Sequence, residues 1–199
     1  PPAAPPAESS AEGSAEPPAA PAEAPEPLPK VYVKVVGEET AVSRTKMGGL
    51  LEPYNDVGKG WRINKPSGWN QFDTLPGVYE MKWEDLVATN REVLLVTTTP
   101  VKSTTTSVDM LGDVTEVGRK LGKGKKELLS AKAVEKEGIL FYMWEFKTED
   151  GHQLLQLCVN KGKLWSVDAS APDKRWSKVS ELYTNSLLSF MPTLKSSAN

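Results

Sequence analysis

The chain has 199 residues and 39% hydrophobic content, enough for one core of ordinary domain size but not for two. Its net charge of −2 hides an asymmetry, because residues 1–29 hold five glutamates and no lysine or arginine, leaving 21 acids against 24 bases, about +3, in the remainder. That mild excess suits an acidic protein surface better than nucleic acid, while the lack of an apolar run near ~20 residues argues against a spanning helix, so the chain is expected to be soluble or at most peripheral.

Residues 1–30 are almost entirely Pro, Ala, Glu, Ser and Gly. Such a stretch buries too little apolar area to offset its ordering entropy and is expected to be a disordered tail or linker. It is acidic and lacks arginine, unlike a transit peptide, which predicts that any targeting sequence has been removed upstream of Pro1. Residues 31–46 form an extended N-terminal segment, in which Val31 to Val36 alternates as a short strand or arm would and Glu38 to Met47 shows no period.

Residues 47–192 carry the fold, and 193–199 are expected to be a C-terminal tail. Trp61 and Ile63 alternate with Arg62 and Asn64 up to Pro66, and Ser67-Gly68 then turns the chain. Tyr79, Met81 and Trp83 make a second alternating strand, and Glu92 to Thr99 reads as a strand buried on both faces. After a polar loop, Leu111, Val114, Val117 and Leu121 recur at near-helical spacing behind a cap at Ser107 or Asp109.

Lys125 to Glu137 predicts a strand. Ile139 to Lys147 predicts another, with Leu140, Tyr142, Trp144 and Phe146 on one face and Ile139, Phe141 and Met143 on the other, so both faces need cover. His152 to Val159 and Lys163 to Ala169 form a hairpin through Asn160-Lys161-Gly162, where asparagine and glycine suit positive φ. A helix over 174–190 closes the chain, with Trp176, Val179, Tyr183, Leu187 and Phe190 on one stripe, Asp173 as cap and Pro192 as stop. The predicted class is α+β, a helix–sheet–helix sandwich around a central antiparallel sheet of about six strands.

The sequence offers little reaction chemistry. A triad or an imidazole acid–base pair needs histidine, and only His152 is present. Gly118 to Lys126 has the composition of a phosphate loop without its spacing or its following serine or threonine. Carboxylate-only catalysis would need two acids facing one concave pocket. Cys158 reads as a small buried hydrophobe and, as the lone cysteine, makes no intramolecular disulfide. Trp176 fits core packing on its stripe better than an interface anchor. Two basic clusters, Arg119, Lys120, Lys123, Lys125 and Lys126, then Lys161, Lys163, Lys174, Arg175 and Lys178, are either docking patches or solvated helix ends.

Several motifs fall in a recognisable order. Pro53-Tyr54, Gly60-Trp61-Arg62-Ile63, Pro66-Ser67-Gly68-Trp69, Pro76-Gly77, Trp83-Glu84-Asp85, Val93 to Val96 and Gly138 to Glu145 come first. Gly151-His152-Gln153-Leu154, Asn160-Lys161-Gly162-Lys163-Leu164, Asp173-Lys174-Arg175-Trp176 and Ser189-Phe190 close the series. This ordered set, from about Met47 to Pro192, resembles the PsbP family. The resemblance implies an α/β/α sandwich in the chloroplast thylakoid lumen and a non-catalytic role, docked on the lumenal face of photosystem II. There it would support oxygen evolution by helping to retain calcium and chloride. A PsbP-like accessory or assembly factor for photosystem I, photosystem II or another thylakoid complex is the alternative, because the segment before Met47 does not reproduce the type member's. The resemblance also implies a divalent metal (manganese, zinc or calcium) at His152 and Asp173 and no tightly bound cofactor. A lumenal metal-binding protein is thus a reading of a different class, although two ligands fall short of the four or more donors such an ion usually takes.

Overall fold

The computed structural model describes residues 31–34, 49–85 and 92–195. The expected tail over 1–30 and the unpatterned stretch from Glu38 to Met47 lie outside the described residues. Ten strands are described: β1 Val31–Lys34, β2 Leu51–Asp56, β3 Trp61–Pro66, β4 Asn70–Phe72, β5 Met81–Asp85, β6 Glu92–Pro100, β7 Glu127–Lys136, β8 Ile139–Lys147, β9 Gly151–Asn160 and β10 Lys163–Pro172. The helices are α1, Val114–Leu121, and α2, Asp173–Ser189.

The main sheet runs β1-β7-β8-β9-β10-β6-β5-β4. Seven of its strands, β7 through β4 in that order, pair antiparallel, one more than the expected six or so, and β1 joins the edge parallel to β7. β2 and β3 form a separate hairpin. The alternation of β8 explains why the sheet is covered on both sides. Phe141 and Met143 face a core built with α2 and β3, whereas Tyr142, Trp144 and Phe146 face a second core under α1. Trp61, Trp83 and Trp144 are fully buried, each a gain of roughly 2–3 kcal/mol from apolar burial. The α+β sandwich class holds.

Local differences from the sequence reading have physical causes. The predicted helix splits into a 3₁₀ turn, Val108–Leu111, and α1, because Gly112 between them sits at φ 125. The cap is therefore Asp113, whose carboxylate accepts from Thr115 N at 3.0 Å, and not Ser107 or Asp109. Gly118 and Gly122 serve packing: a Cβ at Gly118 would stand 2.5 Å from Trp144 Nε1, and one at Gly122 3.2 Å from Phe146 Cε1. The stretch with phosphate-loop composition is thus the last turn of α1 and the turn that follows it, pressed onto β8.

In the β9–β10 turn it is Lys161, at φ 48, that takes the positive angle before Gly162, at φ 74. Asn160 stays in the ladder opposite Lys163 and donates its amide to the Pro192 carbonyl at 3.1 Å. β6 is less covered than expected, with Val93, Leu95 and Thr97 only half-buried, since they face the α1 side of the sheet beyond the reach of that eight-residue helix. Arg62 is buried rather than facing solvent: Nη1 donates to the Thr193 carbonyl and Nη2 pairs with Glu137, each at 2.7 Å. Thr193, placed in the expected tail, is thereby fixed to β3, while residues 196–199 lie outside the described set.

α2 begins one residue earlier than predicted, with Pro172 at the cap position. Its far end is closed by Lys136, a buried side chain whose Nζ donates to the carbonyls of Leu188 and Phe190, each at 2.9 Å, over the Phe141 ring at 3.8 Å. An ammonium here answers the orphan carbonyls and the negative end of the helix dipole. Burial draws its pKa down to about 7. Among the described residues no helix is long and apolar enough to cross a membrane.

Candidate functional site

The β8–β9 hairpin places Lys147 opposite His152 in register, and the last pair of the β9–β10 ladder, Pro172 opposite Gly151, delivers Asp173 to the same corner. His152 and Asp173, distant in sequence, are thus neighbours: Nε2 lies 3.2 Å from Asp173 Oδ1. On its other side the ring meets Glu145, Nδ1 to Oε1 3.1 Å, and its face stacks on Trp176 at 4.9 Å with 9° between the planes. Trp176 Nε1 donates to the same Glu145 oxygen at 2.9 Å, and the indole packs into the α2 core. Lys147 completes the group, with Nζ bonded to Asp173 and 3.3 Å from His152 Nε2.

Asp173 is therefore in the first turn of α2 without acting as its cap, because its carboxylate is taken by Lys147 and His152. The Lys147 hydrogen bond, ahead of the nearby positive charges, holds that carboxyl below its usual range. A divalent ion fits this arrangement poorly. An ammonium already contacts both would-be ligands, and Glu145 sits on the opposite ring nitrogen. Among the described residues no group of three or more His, Cys, Asp or Glu side chains is placed to hold a metal. The corner is a clamp joining β8, β9 and α2. Sequence reasoning missed Glu145 and Lys147, although the period of β8 puts both on the α2 face with Phe141 and Met143.

The basic residues divide by position. α1 runs toward the clamp end, where Lys126 N bonds the Lys147 carbonyl, so Arg119, Lys120 and Lys123 project there, exposed and without an ion-pair partner among the described residues. Lys174 and Lys178 are exposed on the opening turns of α2, at the same end. Lys126 pairs with Glu149 at 3.2 Å. Arg175 is not available: Nε is bonded to Glu92 at 2.6 Å. Lys161 and Lys163 sit at the opposite end of β10, about 30 Å away by strand rise, so the second cluster is not one patch.

Lys125 lies over the Phe146 ring at 4.6 Å and donates to Gln153, which in turn donates to Asp168. Burial pushes the Asp168 carboxyl up to about 6, against the pull of Gln153 and Lys125. The unfolded chain releases that proton near the ordinary 3.8, so between the two values the fold binds more protons and its stability falls as pH rises. Asp168→Asn is expected to be about 1–3 kcal/mol more stable than wild type near pH 7.5, the gap narrowing by about pH 4.5. Urea unfolding at the two pH values checks this.

A cavity of about 210 Å³ is lined by Trp69, Asp85, Glu92 and Arg175 among others. It does hold two acids, but Glu92 accepts from both Arg175 and Tyr183 and so is not free to act as a base. The volume is also below the ~300 Å³ at which small-molecule sites usually begin. Cys158 is buried, and burial pushes its thiol up to about 12, far from a reactive thiolate.

Fold and site together define an α+β sandwich domain whose lone histidine and buried acids are locked in structural pairs, and whose free cations face outward. The PsbP family profile matches residues 49–191, nearly the whole of the described sandwich. The chain belongs to the PsbP family, as the ordered motifs implied. It is 30% identical to CyanoP of Synechocystis over 167 residues, 73% of this chain and 87% of that one. It is 27% identical to CyanoP of Thermosynechococcus vestitus over 158 residues, covering 70% and 85%. The solution structure of the cyanobacterial PsbP from Synechocystis superposes with a TM-score of 0.59 at 25% identity, covering 78% of this chain and 98% of that one.

Proposed function

We propose that this chain is a non-catalytic extrinsic protein of the thylakoid lumen that docks on the lumenal face of photosystem II through the clamp end of its sandwich. The observation that carries the reading is the family match over residues 49–191 combined with Arg119, Lys120, Lys123, Lys174 and Lys178 exposed at that end. Cations at the rim of an interface steer association with an acidic receptor and fix its register. The finer role proposed is support of oxygen evolution through retention of calcium and chloride. A second reading, an accessory or assembly factor for a photosystem or another thylakoid complex, is favoured by one observation: the family match begins at residue 49, so the segment before Met47, which does not reproduce the type member's, lies outside it.

Docking of this kind is salt-sensitive, since at about 1 M salt charges are screened over ~3 Å. Washing thylakoid membranes at that ionic strength is expected to release most of the protein. Arg119→Glu, Lys120→Glu and Lys123→Glu together are expected to weaken rebinding to washed membranes by about tenfold or more. Retention after the wash, or wild-type rebinding by the triple variant, contradicts electrostatic docking through this end.

A further inference from the structure

The end of the sheet opposite the clamp carries a feature that photosystem docking through α1 and α2 leaves unused. Two loops meet there: residues 56–60, joining β2 to β3, and residues 73–80, leading into β5. Lys59 ties them together, its Nζ bonded to Thr74 and Glu80. At the tip stand three of the most exposed large hydrophobic side chains among the described residues, Val57 at 76%, Val78 at 59% and Leu75 at 48%. Beside them the β9–β10 turn and the end of β6 are joined by Val101 N donating to the Gly162 carbonyl at 3.0 Å, which brings Lys102, Lys161 and Lys163 into one exposed group.

Of the nearby acids, Glu80 is paired with a cation, while Asp56 and Asp73 accept from neutral groups and keep their charge. Glu80 is shared between Lys59 and Thr98, and Asp56 Oδ1 accepts from the Lys59 backbone N–H at 2.9 Å. Asp73 is exposed and accepts from Gln71. Lys59, Lys102, Lys161 and Lys163 stand against Asp56, Asp73 and Glu80, so three lysines flank an apolar knuckle at an end whose net charge is about +1.

We propose that this end is a lipid-docking tip, with Val57, Leu75 and Val78 entering the headgroup–acyl boundary of an anionic bilayer while Lys102, Lys161 and Lys163 hold its headgroups. The composition favours a lipid surface over a protein groove. Protein interfaces are enriched in aromatic residues and arginine and depleted in lysine, whereas the exposed apolar side chains of this tip are aliphatic and its exposed cations are all lysines. Lysine stems lie along apolar surface while their ammonium groups reach charge, the habit of interfacial membrane segments. A convex knuckle of small side chains enters a fluid boundary without needing a complementary pocket. Contact at this end leaves the cations of the clamp end free for a lumenal protein partner.

The test uses the full chain and pure lipid vesicles, so it is independent of any photosystem. Protein is sedimented with vesicles of phosphatidylcholine alone and with vesicles containing about a third phosphatidylglycerol, at low salt. Co-sedimentation is expected with the anionic vesicles and not with the neutral ones. Val57→Ser with Val78→Ser, and separately Lys161→Glu with Lys163→Glu, are each expected to weaken it about tenfold. All four positions are exposed, and circular dichroism verifies the fold of each variant. Arg119→Glu with Lys120→Glu, at the other end, is expected to bind vesicles like wild type. No binding to anionic vesicles, equal binding to neutral ones, unchanged binding by the tip variants, or loss on changing α1 would each overturn the proposal. Capture by the tip only of membranes that contain protein would assign it to a protein partner instead, and would overturn it too.

Discussion

Replacing Gly151 with alanine is expected to cost the domain about 3 kcal/mol or more, or to prevent its folding. A Cβ at this position would stand 2.8 Å from Pro172 Cα and 2.9 Å from the Ala171 carbonyl carbon, and closer still to that carbonyl's oxygen. All of these are backbone atoms in the paired strand, so no side chain can turn aside to make room. Relief requires β9 and β10 to part where Gly151 faces Pro172, and parting them moves Asp173 away from His152 and Lys147. Urea unfolding measures the loss. Gly58→Ala is the control, since its Cβ would meet only Asp56 Oδ1 at 3.6 Å, and a change within about 0.5 kcal/mol is expected there. Near-equal stabilities for the two variants would refute the close-approach account of Gly151.

The second large effect is expected at Glu92. Its side chain is 2% exposed, with one oxygen bonded to Arg175 Nε at 2.6 Å and the other accepting from Tyr183 at 2.9 Å. Burial, then the Glu92 charge, drive the Tyr183 hydroxyl well above its usual pKa, so the phenol is a fixed donor. Glu92→Ala leaves a buried hydroxyl and a guanidinium without their acceptor, at an expected cost of about 3 kcal/mol. That lies toward the low end for breaking a buried pair, because Arg175 is 31% exposed and reaches water. In Glu92→Ala/Arg175→Ala the losses are expected to fall short of the sum of the singles by about 1–2 kcal/mol. Strict additivity in a denaturation cycle would show that the pair does not tie α2 to β6.

The contrast between what was legible and what was not follows from the range of the interactions. β8 could be read from its own alternation, because period two and two apolar faces are properties of nine consecutive residues. The α2 stripe was legible for the same reason. Arg62 was not: its partners Glu137 and Thr193 lie 75 and 131 positions away, and local alternation gives such a residue to solvent. Lys136 reads as a strand-end cation until α2 folds back to set three carbonyls around it. Arg175 looked like a docking cation because its partner Glu92 lies 83 positions away and nothing within either segment announces the other.

The site was half legible. The resemblance named His152 and Asp173, and the structure does bring them together, yet Lys147 and Glu145, which decide what the corner does, were hidden in an alternation read only for its apolar members. The basic list was sorted by sequence proximity, whereas the ten-residue β10 carries Lys163 and Lys174 to opposite ends of the molecule. One nominal patch thereby becomes two surfaces with different neighbours.

Crosslinking of the native protein on thylakoid membranes, with lysine-reactive reagents and identification of the joined peptides, tests the central claim most directly. The account predicts links from Lys120, Lys123, Lys174 and Lys178 to lumenal segments of photosystem II subunits, lost after a high-salt wash. Links from those lysines only to proteins outside the photosystems, or none under conditions in which known lumenal neighbours are joined, would contradict it.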